Sequence, residues 1–227
     1  VKRETDLNTL NDRLHILQTT IPADVRIVAA GKTRSAEAIH AALDAGIREV
    51  GHNYVQEART QIDQLGREAC TWHFIGHLQR NKAGLAASLF DMIQTVDSLR
   101  LAQALDRACA DLERVLPILI EVNSARETQK AGVAPDEVSN LVTEIAQLRH
   151  LRIEGLMTMG PAVAAPDELR PYFQETKALF DHLVTQRIPG TKLHTLSMGM
   201  STSFNVAIEE GATMVRLGTV LFGPRRS

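Results

Sequence analysis

Short apolar, β-branched runs alternate along this chain with longer amphipathic stretches, and polar or glycine-bearing turns separate the two. Runs of this kind bounded by turn signals read as strands, while apolar positions three and four residues apart read as helices. The strand-like runs fall at residues 25–30, 48–51, 71–76, 92–96, 117–122, 152–159, 193–198 and 213–218. Helical stretches are expected at about residues 6–18, 36–45, 54–65 and 135–148, and one after the fourth run carries Leu101, Leu105, Ala108 and Leu112 on one face. The run at 117–122, PILIEV, is continuously apolar up to its glutamate, as a strand buried on both faces of a parallel sheet would be. A leading helix, then eight strands of which the first seven are each followed by a helical stretch, predict a single-domain (β/α)₈ TIM barrel over residues 1–227. An open doubly wound sheet uses the same alternation. Its G-x-G-x-x-G fingerprint is missing after the first strand, where A-G-K-T-R-S stands.

Composition narrows the function class. The 227 residues are 44% hydrophobic and 23% charged, enough for a sizeable core and too apolar for a disordered tail. The net charge of -2 argues against nucleic acid as a partner. Two cysteines, Cys70 and Cys109, lie far apart, which predicts neither a disulfide framework nor a cysteine zinc site. The chain opens VKRETDLNTL, without the apolar stretch of a secretory signal, and no run approaches the ~20 residues of a spanning helix. A cytoplasmic protein without a membrane partner is the expectation.

In a barrel, chemistry sits at the C-terminal ends of the strands. Lys32 follows the first strand after Ala29, Ala30 and Gly31; partial burial there would free its amine for attack on an aldehyde. An ordinary solvated loop lysine is the competing reading. The loops after strands seven and eight supply Gly199, Ser201, Ser203, Gly218 and Thr219, with Ser203 a candidate helix cap. That is the usual phosphate site of this fold, although capping and turn formation explain part of the pattern. Arg216 inside an apolar strand is either buried with a partner or aimed into the barrel. His52, His73 and His77 show no metal-ligand spacing, so no metal is expected. Asp97-Ser98 reads as an N-cap pair, and Met157, Met159, Met198 and Met200 as core filling.

The segments VAAGKTRSAEAI, GHNYVQEA, WHFIGHLQRNK, GLMTM, SMGMS and MVRLGTVLFG, in that order, resemble the pyridoxal phosphate homeostasis proteins. These are single-domain relatives of the alanine racemase N-terminal barrel. The resemblance runs from about residue 7 to residue 225. It implies a barrel of pyridoxal phosphate fold type III carrying pyridoxal 5′-phosphate (PLP), with Lys32 as its Schiff-base lysine. By the same resemblance Arg216 faces the pyridine nitrogen, Ser201, Gly218 and Thr219 bind the phosphate, and Asn53 lines the cofactor face. His52 stands where the family usually has Glu, Ser203 where Asp is common, and Gly31 where Ser is frequent.

An arginine at the pyridine nitrogen disfavours ring protonation and so weakens carbanion chemistry. Racemization survives that argument but needs two bases, and the related racemases take the second, a tyrosine, from a further domain. The only tyrosines here, Tyr54 and Tyr172, fall at expected helix starts. A monomeric carrier that holds and releases PLP in vitamin B6 homeostasis, delivering it to PLP-dependent apo-enzymes, is the leading expectation. A racemase is the alternative, and an interaction scaffold with an exposed apolar face is a third. Lys130, after the fifth strand, is an exposed candidate for a secondary acceptor.

Overall fold

Residues 9–161 and 165–224 are described by the computed structural model, and their strands close into a parallel barrel of order β1-β2-β3-β4-β5-β6-β7-β8. The strands are β1 Arg26–Ala30, β2 Glu49–His52, β3 Thr71–Phe74, β4 Met92–Val96, β5 Leu116–Glu121, β6 Leu151–Met157, β7 Thr191–Ser197 and β8 Met214–Leu217. Closure is carried by β1 against β8, with Val28 opposite Arg216 and Ala29 opposite Leu217. The expected (β/α)₈ barrel is what forms, and the open sheet is excluded.

Helices α1 Leu10–Thr20, α2 Ala36–Asp44, α3 Val55–Leu65, α4 Ala83–Leu89, α5 Leu99–Asp111, α6 Val138–Ile145, α7 Arg170–Gln186, α8 Phe204–Glu209 and α9 Thr219–Phe222 lie between and around the strands. The N-terminal part of the expected leading helix, residues 6–8, lies outside the described residues; the rest is α1. Several starts follow from capping chemistry: Thr9, Ser35 and Ser98 side chains accept the amides of Asp12, Ala38 and Leu101. The Asp97-Ser98 reading is thus correct at Ser98.

On α5 Leu101, Ala102, Leu105 and Cys109 are buried and Ala108 packs partly buried against the core, so of the expected face only Leu112 departs. The helix ends at Asp111, so Leu112 sits at the C-cap and turns outward, 45% exposed. The short helix α9 after the eighth strand was not anticipated.

Strand alternation builds two layers. Outward-facing residues such as Ala29, Val50, Trp72 and Ile93 pack with Ile39, Ala58, Ile62 and Leu105 of the helices in the main core. A small inner cluster, Val28, Met92, Leu119, Met157 and Met214, fills the barrel. The rest of the interior is polar: His73, Gln94, Ser197, Glu121 and Arg216 are all buried.

Candidate functional site at the barrel mouth

A cleft of about 340 Å³ opens at the C-terminal end of β1, β7 and β8. Its lining includes Lys32, Asn53, Ser201, Arg216, Gly218 and Thr219, so all six candidate residues converge although they span 188 positions of sequence. The volume lies within the range of small-molecule sites. Met159 and Met200, 39% and 40% exposed, form apolar wall, whereas Met157 and Met198 are core. The methionine cluster therefore splits between core filling and cleft lining.

Lys32 is half-buried, with its Nζ 5.3 Å from the centroid of the Tyr54 ring. The loop that carries it is tied to α3 at two points. The Thr33 amide donates to Glu57 Oε1 at 2.6 Å, and Gln61 Nε2 donates to the Arg34 carbonyl at 2.6 Å. Thr33 is held at φ +62°, a left-handed conformation that costs a non-glycine residue about 1 kcal/mol or more. Glu57 and Gln61 hold this loop, and neither stands out in the sequence beyond its place in the GHNYVQEA segment and its helix.

At the β7–β8 end the Ser201 hydroxyl oxygen accepts the amides of Gly218 at 3.1 Å and Val220 at 3.3 Å. Its own hydrogen remains for the cleft. Among the described residues the amides of Ser201, Thr202 and Thr219 donate to no protein acceptor. Successive free amides and hydroxyls of this kind suit an anion. Helices α8 and α9 span only six and four residues, so the loop amides themselves, not a long helix dipole, are the donors.

Two sequence readings are corrected here. Ser203 occupies the N-cap position of α8 but caps nothing; its hydroxyl accepts the Met200 amide at 3.1 Å and tightens the loop. Gly199 is required by its φ of +86° and by α8, since a Cβ would lie 2.6 Å from Ala207 Cβ. Turn geometry therefore explains Gly199 without a phosphate.

Arg216 is buried with partners and also lines the cleft, so both readings of it hold. One terminal nitrogen, Nη1, donates to the Ser197 carbonyl at 3.0 Å and hydroxyl at 2.6 Å; Nη2 donates to the Thr158 carbonyl at 2.9 Å. Three of its five N–H groups are thereby used. Burial pulls its pKa down to about 10, against the opposing attraction of Glu121, and it stays cationic at neutral pH. Glu121 ends β5, and the sequence reading left it unused. Burial first, then repulsion from Asp97, pushes its carboxyl up to about 7 in spite of Arg216.

The remaining candidates lie apart from the cleft. His52 is the last residue of β2, not a loop residue; it is fully buried and stacked on Trp72 at 5.8 Å. Its two ring nitrogens have no hydrogen-bond partner among the described residues, and burial lowers its pKa to about 4. A Cβ on Gly31 would lie 3.0 Å from His52 Cε1, so these two departures from the family pattern are sterically matched. His73 is interior and His77 exposed, and no cluster of metal-ligating side chains occurs among the described residues.

Lys130 is half-buried in an ion pair with Glu127 at 2.7 Å and donates to the Gly160 carbonyl at 3.3 Å, which overturns the expectation that it is exposed. Tyr54, set aside on sequence as a helix start, stands at the mouth beside Lys32. No helix among the described residues is long and apolar enough to cross a membrane.

Known proteins share this fold. The family model for the alanine racemase N-terminal domain matches residues 5–226. The pyridoxal phosphate homeostasis protein of Aquifex aeolicus is 38% identical, over 88% of this chain and 87% of its own length. PipY of Synechococcus elongatus, solved without PLP, superposes with a TM-score of 0.90 at 36% identity, covering 95% of this chain and 100% of that one. The structure of PipY with PLP bound superposes with a TM-score of 0.87 at the same identity and coverage.

Proposed function

The chain belongs to the alanine racemase N-terminal domain family, among the pyridoxal phosphate homeostasis proteins, and from that premise we propose that it holds PLP in the mouth cleft for release rather than turnover. The observation that carries the reading is the convergence of Lys32, the buried cation Arg216 and the free donors around Ser201 on one cleft. When bound, the cofactor supplies an aldehyde that condenses reversibly with an amine and a ring whose electron-sink strength depends on its nitrogen.

Each residue has a task in this reading. Lys32 offers the amine, and the Thr33–Glu57 and Arg34–Gln61 bonds fix the loop that presents it. The Ser201, Thr202 and Thr219 amides and the Ser201 and Thr219 hydroxyls receive the phosphate. Arg216 donates an N–H at the ring nitrogen and has no proton to give up at neutral pH, which keeps the ring a weak electron sink. Met159 and Met200 would give the cofactor apolar contact, and Asn53, which lines the same cleft, would give it a polar one. A site with affinity and weak chemistry suits a cytoplasmic carrier that passes PLP to apo-enzymes, acting as a single-domain monomer.

Tyr54 near Lys32 favours a second reading, an amino-acid racemase with a lysine–tyrosine base pair. One experiment separates the two. Amino-acid α-proton exchange in deuterated water should stay near the rate of free PLP for a carrier. Exchange at about 1 s⁻¹ or faster, with both enantiomers formed and activity lost in Tyr54→Phe, would establish the racemase instead.

A further inference from the structure

A continuous polar chain crosses the barrel interior from the mouth towards the opposite end, and nothing in the proposed cofactor site accounts for its length. Arg216 donates to the Ser197 hydroxyl at 2.6 Å, and Ser197 donates onward to Gln94 Oε1 at 2.8 Å. Gln94 Nε2 meets His73 Nδ1 at 3.0 Å and Met214 Sδ at 3.1 Å. His73 Nε2 then stands 3.1 Å from Glu49 Oε2, an ion-pair distance without hydrogen-bond alignment. Glu49 in turn accepts Arg26 at 2.7 and 2.9 Å. Burial pushes the Glu49 carboxyl up, but the close His73 ring and the bonds from Arg26 outweigh it and hold it below the usual range. His73 and Gln94 are wholly buried mid-strand residues, where an unpaired polar group is costly.

The chain has one self-consistent direction. An arginine can only donate, so the Ser197 oxygen accepts and its hydrogen points on. That hydrogen needs the carbonyl end of Gln94, which leaves the amide NH₂ for His73 Nδ1 and for the thioether of Met214, an acceptor only. Nδ1 must then be unprotonated, and the ring proton sits on Nε2 facing the Glu49 carboxylate. Reversing Gln94 would place its NH₂ against a hydroxyl already receiving the guanidinium and strip Ser197 of its acceptor.

We infer that Gln94, oriented by His73, is a positioning residue that acts through Ser197 to fix how Arg216 presents its remaining N–H groups to the bound cofactor. The inference rests on the reading that PLP occupies the cleft. Its test includes a measurement that needs no cofactor.

Three variants, Gln94→Leu, Ser197→Ala and the double substitution, are titrated with PLP by near-visible absorbance, with thermal melting of each apo protein alongside. Gln94→Leu should weaken PLP by up to about tenfold, the upper end of what one neutral hydrogen bond contributes. It should also displace the absorption band. Because Gln94 acts through Ser197, the double variant should bind no worse than the weaker single variant.

Additive losses in the double variant would overturn the inference. So would a Gln94→Leu protein that melts lower yet keeps wild-type affinity and band position. Nitrogen-15 NMR of the apo wild type supplies the independent arm: His73 should carry its proton on Nε2 alone, and the Nδ1-protonated form would overturn the relay without any substitution. If the wild type shows no near-visible band at all, the cofactor reading fails, and the NMR arm still decides the relay.

Discussion

Replacing His52 by Met should stabilise the protein, and by an amount that grows as the solution is acidified. The imidazole is fully buried against Trp72 and beneath Gly31, and neither ring nitrogen has a partner among the described residues. Unsatisfied buried polar atoms cost about 1–3 kcal/mol each, so the variant should gain on that order near neutral pH. A methionine of similar volume adapts to the same space.

The pH dependence follows from linkage. Burial lowers the pKa of His52 from 6.5 to about 4, so the unfolded chain takes up this proton first. Its contribution is whole above 6.5 and is lost as pH falls through about 4. At about 1.4 kcal/mol per pH decade, the loss amounts to about 3 kcal/mol at the acid end. Urea unfolding of both apo proteins between about pH 4 and pH 7.5 reads this directly, since every other titrating group is common to the two. The stability difference should widen by about 3 kcal/mol on acidification. A difference that stays constant across the range would refute the reasoning, because it would mean that His52 titrates alike folded and unfolded.

Further outcomes follow from the same residues. Glu121, raised from 4.5 to about 7, contributes stability that is present below 4.5 and lost as pH rises through about 7. Glu121→Gln should therefore be more stable than wild type by up to about 3 kcal/mol at pH 8 and no more stable at pH 4, as measured by urea unfolding. Gly31→Ser should cost about 1 kcal/mol by crowding His52 Cε1 and Ile39 Cδ1. Part of that cost should vanish in the His52→Met background, as a double-mutant cycle would show. Ser201→Asp puts a fixed anion where the phosphate dianion is expected and should weaken PLP at least a hundredfold, roughly the 3 kcal/mol of one charged contact. Pyridoxal without its phosphate should be affected much less, and equal losses for the two ligands would contradict the phosphate assignment.

The barrel was legible from the alternation itself, eight short apolar or β-branched runs with helical stretches between them, and from PILIEV, which is apolar up to its glutamate as a strand covered on both faces would be. The mouth was legible for a related reason: residues just past each strand end can reach one site, and Lys32, Ser201, Gly218 and Thr219 stand at such ends. Arg216 was noticed as a charge where none belongs.

The interior chain was not legible. Gln94 and Ser197 are 103 positions apart and look like ordinary polar strand residues until the sheet closes. The second strand-like run ends at residue 51 in the sequence, yet β2 runs one residue further and takes in His52, whose imidazole stacks on Trp72. Tyr54 could not be linked to Lys32 from spacing, since a helix start and a strand end meet there only in three dimensions.

The most direct test of the account is borohydride reduction of the PLP-loaded protein followed by peptide mapping. The account predicts that the reduced cofactor is found on the peptide containing Lys32 and that Lys32→Ala shows neither label nor near-visible band. A label on Lys130 or another lysine, with the Lys32→Ala spectrum unchanged, would contradict it.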